Sequence, residues 1–384
     1  MISFVIITAG GKTMEYRKFE KSGVSPSLLG FGCMRFPTLE NGEINEQEAK
    51  AMIDKAMAHG VTYIDTAYPY HNGDSEPFVG KVLKNYDRQS FYLATKLPIW
   101  NISCEEDVEK IFNEQLQRLD VDYVDFYLLH ALDKEKWEKV SKYNILEHVE
   151  KMQKAGKIKY IGFSFHDEYE VFENIVKSYS WDFCQLQINY MDMDIQAGMK
   201  GIQLCDQLNL PVVVMEPIKG GSLATLPQKV ADIFKQYDKH RSLSSWALRY
   251  VGSLPAVKVI LSGMSTMEQV EDNLATFDQF QKLNEEEMAL VEKVTKTLKA
   301  KTKNGCTGCK YCMPCPFGVN IPNNFKYWNC MSIYEDEKTF KEKYIRLQNE
   351  QASQCRQCGK CETMCPQHIA IREDLKRVVQ DMES

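Results

Sequence analysis

The chain has 384 residues, which is long for one ordinary domain and favours one large unit followed by a smaller one. Hydrophobic residues make up 44% and charged residues 26%, so the chain can build a sizeable core and is not of the disordered class. The net charge of -6 is spread along the chain, which argues against a nucleic-acid or membrane partner, and without a recognisable export signal we expect a cytoplasmic protein.

Short β-branched or aromatic runs alternate with helical patterns over the first three quarters of the chain, as in successive βα units. The eight runs are residues 28–33, 61–65, 91–96, 124–130, 160–164, 183–189, 212–216 and 257–262. Eight βα units of this size predict an α/β fold, the (β/α)8 TIM barrel. A doubly wound sheet is the alternative, but the first βα turn, residues 30–35, lacks the third glycine of a dinucleotide fingerprint.

Cysteine usage separates a second module from this barrel. Of 13 cysteines, eight fall into two tight groups near the end of the chain. In a protein that is not exported, such groups indicate metal or redox chemistry rather than disulfides. We therefore expect a barrel over residues 14–290, a small and mostly helical module over 291–384, and a disordered N-terminal extension over 1–13.

Polar residues that packing does not explain follow four consecutive predicted strands. Asp65 ends the second strand and Tyr70 follows it. Lys96 ends the third strand, His130 the fourth and Ser164 the fifth. In a barrel of parallel strands, catalytic groups sit at the carboxyl ends of the strands. These residues are therefore candidates for one active site.

The order of these residues resembles the aldo-keto reductase family over about residues 15–290. An Asp-Thr-Ala followed three residues later by Tyr, then a Lys and a His on the next two strands, is much more specific than any one motif. The resemblance implies a catalytic tetrad of Asp65, Tyr70, Lys96 and His130, and Glu76 falls where the family keeps a Glu. It also implies a carbonyl or alcohol substrate, and Tyr68 and Trp100 favour an apolar pocket for it.

The chemistry of carbonyl reduction requires these residue types independently of the family. A proton donor must meet the developing alkoxide, and a phenol with a pKa near 10 is a poor acid at neutral pH. We expect Lys96 to lower the pKa of Tyr70 and Asp65 to hold the lysine. His130 would orient the carbonyl oxygen through a hydrogen bond.

The resemblance further implies a nicotinamide cofactor, NADP(H) or NAD(H). Ser164 and Gln187 would hold its carboxamide, and the loop at residues 216–221 would cover its pyrophosphate. Members that demand NADPH carry a Lys and an Arg where Gly263 and Gln269 stand here, so we expect NADH to compete. The other candidate cofactor contacts are Cys33, Met34, Asp65, Glu216, Pro217, Gly220, Met264 and Asn273.

The second cysteine group has the spacing that bacterial ferredoxins use for 4Fe-4S clusters, and the first group is one residue tighter at its last step. In two-cluster ferredoxins the fourth cysteine of one group ligates the other cluster. The expected ligand sets are Cys306, Cys309, Cys312 and Cys365 for one cluster, and Cys355, Cys358, Cys361 and Cys315 for the other. Zinc is the alternative, but it normally takes cysteine pairs a dozen or more residues apart. Cys330, in the helix-rich insertion between the groups, is expected to be a packed thiol.

Together the two parts resemble the iron-sulfur aldo-keto reductases of anaerobic bacteria. The favoured hypothesis is an NAD(P)H-dependent oxidoreductase that reduces an aldehyde or ketone, or oxidises the alcohol, with auxiliary clusters. The alternatives are a reductase supplied by ferredoxin or another electron carrier, and a cofactor-binding redox sensor without turnover. Because hydride carries two electrons and a cluster passes one, direct exchange needs a converter, usually a flavin. A flavin is possible, but the sequence shows no signature for one.

Overall fold

The computed structural model describes residues 4–7, 13–308 and 310–384. The chain opens with two antiparallel strands, β1 (Phe4–Ile7) and β2 (Thr13–Tyr16). Within the N-terminal extension expected over residues 1–13, Phe4–Ile7 pairs with β2, and its three β-branched residues favour such an extended backbone. The rest of that expectation, apart from Thr13, lies outside the described residues.

Eight parallel strands within residues 13–308 close into a barrel. Each strand pairs with the next along the chain, and the last pairs with the first. The strands are β3 (Leu29–Gly32), β4 (Tyr63–Asp65), β5 (Tyr92–Leu97), β6 (Val124–Leu132), β7 (Ile158–Phe165), β8 (Phe183–Gln187), β9 (Val212–Met215) and β10 (Val257–Ser262). The predicted (β/α)8 barrel is confirmed, and the doubly wound alternative is wrong because the sheet has no open edge.

Helices follow the strands as crossovers and then continue beyond the barrel. They are α1 (Glu46–Ala58), α2 (Ser75–Leu83), α3 (Glu106–Leu119), α4 (Lys134–Lys142), α5 (Ile145–Lys154), α6 (Tyr169–Ser178), α7 (Gly198–Gln207), α8 (Gln228–Tyr237), α9 (Leu243–Ser253), α10 (Met267–Phe277), α11 (Glu285–Lys299), α12 (Ile321–Tyr334), α13 (Glu337–Ile345), α14 (Lys360–Thr363) and α15 (Ile371–Met382). Helix α3 shows why such segments form: it begins with acidic residues, which favour a helix N-terminus, and it buries Val108, Phe112 and Leu116 along one face.

Aromatic side chains fill the inside of the barrel. The ring of Phe126 on β6 lies 5.1 Å from that of Tyr63 on β4 and 5.0 Å from that of Phe183 on β8, measured between centroids. Phe19 closes the cluster at 5.4 Å from Phe126. Layers built from alternate strands are the normal core of this fold, and they leave no channel through it. Space for a ligand is therefore found at the ends of the strands.

The chain divides into two compact units. One contains the described residues up to 220 together with 244–288, and the other contains 221–243 and 289–384. The expected boundary at 290/291 lies close to the second division, but the segment 221–243, which includes α8, belongs with the C-terminal unit. In that unit the indole of Trp328 on α12 donates to Asp381 on α15 at 2.7 Å. No helix in the described ranges is long and apolar enough to cross a membrane.

Candidate functional site

The four residues predicted as a tetrad meet at the carboxyl ends of neighbouring strands. Asp65 is the last residue of β4, Lys96 lies near the end of β5 and His130 lies on β6. Tyr70 begins the turn that follows β4. The parallel register, in which Asp65 faces Ala94 and Lys96 faces Leu128, brings these ends to one mouth of the barrel.

The ammonium of Lys96 is fully buried and donates to three oxygens. Its Nζ lies 2.7 Å from Asp65 Oδ1, 2.8 Å from the Thr66 carbonyl and 3.4 Å from the Tyr70 hydroxyl. Burial lowers the pKa of Lys96, but Asp65 and Tyr70 raise it, and the net direction is upward. The lysine therefore remains a cation beside the phenol.

The environment of Tyr70 differs from the sequence expectation in one respect. Burial raises the pKa of Tyr70, Lys96 lowers it and Asp65 raises it again, so the net direction is upward. The expected lowering by Lys96 is present but smaller than the cost of desolvating a phenolate. At neutral pH Tyr70 is thus a protonated hydrogen-bond donor with a cation behind its oxygen.

His130 lines the same mouth as a neutral ring. Its centroid is 6.3 Å from that of Tyr70, nearly perpendicular to it, and 5.0 Å from that of Trp100. Burial, Lys96 and His166 hold the pKa of His130 well below its usual value. Its Nδ1 is buried without a hydrogen-bond partner among the residues that the structure describes. This nitrogen is unused by the protein, and the ring is not charged at neutral pH.

A buried network behind the mouth fixes the strand of Lys96 and the turn of Tyr70. Glu76 Oε1, on α2, accepts from Thr95 Oγ1 at 2.6 Å and from Gln115 Nε2 at 2.7 Å. Its Oε2 lies 3.3 Å from Arg118 Nη1, and the same guanidinium donates to the carbonyl of Gly73. Burial raises the pKa of Glu76, while Thr95, Gln115 and Arg118 lower it, and the net direction is upward.

Glu76 could be selected from the sequence, whereas its partners Thr95, Gln115 and Arg118 were not predicted. Gln115 lies on the apolar face of α3, where a polar residue must find a hydrogen-bond partner, and this position was the available signal. Gly73 has a φ of 103°, a backbone conformation that favours glycine, and a Cβ there would lie 2.8 Å from Arg118 Nη2, so the guanidinium would have to move. The position of Gly73 in the turn therefore depends on its contact with Arg118.

The residues predicted to hold the nicotinamide carboxamide make hydrogen bonds to other residues of the protein. Ser164 Oγ accepts from the Ala131 backbone at 2.7 Å. Gln187 donates to Asp192 Oδ2 at 3.2 Å and accepts from Gln196 at 3.3 Å. Asp192, which was not selected from the sequence, also pairs with Lys219 of the loop after β9.

An ion pair stabilises the loop after β9, which includes Glu216, Pro217 and Gly220. Lys219 Nζ lies 2.5 and 2.6 Å from the two carboxylate oxygens of Asp192. Glu216, Lys219 and Gly220 have φ values of 53°, 50° and 63°, so the loop follows an unusual left-handed course. The conformation of this loop therefore depends on the ion pair between Lys219 and Asp192 and on Gly220.

The remaining predicted cofactor residues differ in exposure. Cys33 is buried and Met34 is exposed in the turn after β3. After β10, Met264 is buried, and the buried Asn273 donates to Ser262 Oγ at 2.8 Å. Gln269, on α10, accepts from the Ser265 backbone at 2.8 Å, and Gly263 lies in the loop before that helix. Asn273 thus secures the end of β10, whereas Met34 and Gly263 lie at the mouth.

The cysteines of the C-terminal unit line two cavities. The larger, about 210 Å³, is bordered by Cys312, Cys315, Cys355, Cys358 and Cys361. The smaller, about 20 Å³, is bordered by Cys306, Cys312 and Cys365. Cys309 lies outside the described residues. Cys315 thus lies with the second group and Cys365 with the first.

The larger cavity suits a group bigger than a single ion, whereas the smaller one, at about 20 Å³, has room for little more than one water molecule. Among the described residues, no three His, Cys, Asp or Glu side chains are placed to hold one metal ion, and no disulfide forms. A 4Fe-4S cube takes its thiolate ligands at its outer corners, which fits cysteines spread around a cavity. Cys330 on α12 borders neither of the two.

The fold and the site define an oxidoreductase of the (β/α)8 barrel class. A family model described as the aldo/keto reductase family matches residues 28–296, and the chain belongs to that family. A second model, described as a 4Fe-4S dicluster domain, matches residues 305–370. The protein is therefore an aldo-keto reductase type oxidoreductase that carries a 4Fe-4S dicluster domain.

Known relatives match the barrel more fully than the whole chain. Probable aldo-keto reductase 1 of Glycine max is 29% identical over 212 residues, which are 53% of this chain and 59% of that protein. Uncharacterized oxidoreductase YqkF of Bacillus subtilis (strain 168) is 26% identical over 318 residues, 74% of this chain and 97% of that protein. The solved holo form of an aldo-keto reductase from Bacillus halodurans has a TM-score of 0.62 at 26% identity and covers 73% of this chain and 96% of its own.

Proposed function

We propose that the protein reduces an aldehyde or ketone, or oxidises the corresponding alcohol, with a nicotinamide cofactor and with Tyr70 as the general acid. The observation that carries this proposal is the buried ammonium of Lys96, which lies between Asp65 at 2.7 Å and the Tyr70 hydroxyl at 3.4 Å. A cation kept in a dry site beside a phenol stabilises negative charge on the phenol oxygen.

Each residue of the tetrad then has one task. When bound, the nicotinamide supplies the hydride for the carbonyl carbon. Tyr70 donates its proton to the carbonyl oxygen, and Lys96 stabilises the phenolate that remains. His130, neutral at pH 7 and with one buried nitrogen unused, orients that oxygen by a hydrogen bond. Asp65 holds the lysine in place.

For the cofactor we propose NAD(H) or NADP(H) without a strong preference. Ser164 and Gln187 are the proposed contacts of the carboxamide, and Gln187 would exchange its bond with Asp192 or Gln196 for the amide of the ligand. Gly263 and Gln269 carry no charge for a 2′-phosphate. NADH should therefore compete within about tenfold of NADPH, since one charged contact contributes roughly 1.5 to 3 kcal/mol.

For the C-terminal module, residues 291–384, we propose two 4Fe-4S clusters with crossed ligands. Cys306, Cys309, Cys312 and Cys365 would hold one, and Cys355, Cys358, Cys361 and Cys315 the other. The support is that Cys315 and Cys365 each border the cavity of the opposite group. Such clusters supply one-electron transfer. Anaerobic purification should give about eight irons per chain with matching sulfide; four irons, or zinc instead, would contradict the two-cluster proposal.

The experiment that tests the oxidoreductase proposal is Tyr70→Phe, assayed with a panel of aldehydes and ketones. The rate should fall by about 10²- to 10⁴-fold, while the affinity for the cofactor stays unchanged, because the phenol acts only on the alkoxide. Tyr86→Phe is the matched control, since the Tyr86 hydroxyl donates to Asp54 at 2.6 Å and Tyr86 has no part in the proposed site. A Tyr70→Phe enzyme that keeps most of its kcat would remove Tyr70 from the acid role.

A second candidate function is reduction driven by a one-electron carrier such as a ferredoxin. The observation that favours it is the rim of the larger cysteine cavity, where Tyr311, Phe317 and Met364 are exposed beside Arg356 and Lys360. No carboxylate borders that cavity in the described residues, so its rim suits an acidic carrier. Turnover with reduced ferredoxin in the absence of nicotinamide would favour this function, and turnover only with nicotinamide would favour the first.

A further inference from the structure

The turn that carries Tyr70 has an unusual backbone. Residues Tyr70–Gly73 form this turn between β4 and α2, and two of them that are not glycine lie in the left-handed region, His71 at φ 50° and Asn72 at φ 56°. Residues with side chains rarely adopt that region, and they stay there only where surrounding contacts fix them. The contacts of this turn therefore decide where the Tyr70 hydroxyl lies.

His71 makes the contacts on one side of the turn. Its Nε2 accepts a hydrogen bond from the Phe36 backbone N–H at 3.2 Å, and its ring lies 5.6 Å from the Phe36 ring at an angle of 30°. Phe36 is itself fixed, because it is buried with its ring 6.0 Å from that of Phe31 on β3 and 5.0 Å from that of Phe78 on α2. His71 thus fastens the residue next to Tyr70 to the turn that follows β3.

The hydrogen bond between His71 and Phe36 requires a neutral imidazole. A backbone N–H can only donate, so Nε2 of His71 must be the ring nitrogen without a proton, and Nδ1 carries the hydrogen. A proton on Nε2 would set two donors against each other and break the bond. The anchorage of the turn therefore depends on the protonation state of His71.

The charged groups on the elements around His71 point in different directions. Asp74, which directly precedes α2, raises the pKa of His71, but burial lowers it by more, so the net direction is downward and the ring is neutral at pH 7. Arg35, in the turn after β3, extends to the loop after β9. Glu76 of α2 is hydrogen-bonded within the buried network behind the mouth. The charge that acts on the ring therefore comes from Asp74.

We propose that His71 is a positioning residue for Tyr70, and that it holds the turn in its reactive geometry only while Nε2 carries no proton. This inference rests on the role of Tyr70 as general acid in the function proposed above. Because Tyr70 and His71 are consecutive, release of the imidazole lets the phenol move relative to Lys96. A displacement of about 1 Å can reduce a rate by about a hundredfold. His71 acts through Tyr70 and takes no part in the chemistry.

The test compares two amide variants of the anaerobically purified full-length protein, with the aldehyde or ketone that the wild type reduces fastest. In His71→Gln the amide oxygen reaches the position of Nε2 and can accept the Phe36 hydrogen bond. In His71→Asn the amide is too short to reach, although asparagine suits the left-handed backbone. At about pH 7.5 the kcat of His71→Asn should fall about ten- to hundredfold with unchanged cofactor affinity, and His71→Gln should stay within about threefold of the wild type.

The pH profile of kcat is the second measurement, because glutamine does not titrate. Between about pH 7.5 and pH 5 the ratio of the wild-type kcat to that of His71→Gln should fall by about threefold or more, since only the wild type loses its anchorage in acid. His59→Gln is the control for the loss of a histidine. His59 lies at the end of α1 with Nδ1 2.7 Å from the Lys55 carbonyl, and its replacement should leave kcat and the pH profile unchanged.

The other outcomes distinguish this inference from the proposed function. A His71→Asn enzyme that keeps most of its kcat, even with a lowered Tm, would show that His71 is structural only, and the oxidoreductase function would stand. A constant ratio of the wild-type kcat to that of His71→Gln across the pH range would overturn the dependence on a neutral ring. A wild-type protein that reduces no carbonyl with a nicotinamide cofactor would contradict the proposed function and this inference with it.

Discussion

Replacing Lys96 by Met should destabilise the barrel more than any exposed lysine can. The change removes a buried ammonium that donates to Asp65, Thr66 and Tyr70, and it leaves the Asp65 carboxylate buried and unpaired. Asp65 Oδ2 already has no hydrogen-bond partner in the described residues, so the protein offers little compensation. Breaking a buried pair from one side costs about 3–5 kcal/mol. For a barrel of this size that lowers the Tm by about 6–20 °C.

Thermal unfolding of the anaerobic protein, followed by circular dichroism, measures this loss. The double variant Asp65→Asn/Lys96→Met removes both charges and should be more stable than the single variant by about 2 kcal/mol or more. Lys258→Met is the control: this barrel lysine pairs with the half-exposed Glu20 at 3.7 Å and should cost less than about 1 kcal/mol. A Lys96→Met protein as stable as the wild type, or a double variant no better than the single one, would refute the reasoning.

Three further predictions concern other parts of the chain. Because His130 has a pKa well below 6.5, the unfolded chain binds more protons than the folded one as the pH falls through that value, so acid destabilises the protein. His130→Asn should therefore lose less stability than the wild type between about pH 7 and pH 5 in thermal unfolding. Glu76→Gln should cost about 1–3 kcal/mol in urea unfolding, because the amide keeps one oxygen for Thr95 and Gln115 but sets its NH2 group against Arg118. It should also lower kcat by loosening the turn of Tyr70, and unchanged stability would contradict the network. Cys365→Ser should damage the cluster anchored by Cys306, whereas Cys315→Ser should damage the other, as iron content and EPR would show; the reverse assignment would contradict crossed ligation.

Sequence periodicity was sufficient to predict the barrel and the position of most of the tetrad. Buried parallel strands appear in the sequence as short apolar runs. Because the carboxyl ends of these strands must meet at one mouth of the barrel, Asp65, Lys96 and His130 could be assigned to one site from the sequence alone. The strand boundaries were harder to predict, because a strand ends where its hydrogen bonds to neighbouring strands end. Strand β7, for example, begins at Ile158, two residues before its predicted start, where it pairs with Val124.

Burial and contacts between distant loops could not be predicted from the sequence. The raised pKa of Tyr70 depends on how much water the folded mouth excludes, which no local pattern reports. The approach of Arg35 to Gly220 and Gly263 could not be predicted for a related reason, because these residues are far apart in the chain and meet only when β10 pairs with β3 and closes the barrel. Asp192 was missed too, because its partner Lys219 comes from a different strand end.

The pairing of charges at the mouth gives each cation a distinct task under the proposed function. Lys96 and Lys219 are each held by an aspartate, so their charges are largely balanced before any ligand arrives. Lys96 therefore acts on a charge that appears only during the reaction, on the oxygen of Tyr70, rather than on the bound cofactor. Loss of the Tyr70 hydroxyl should therefore lower the rate and leave cofactor affinity unchanged.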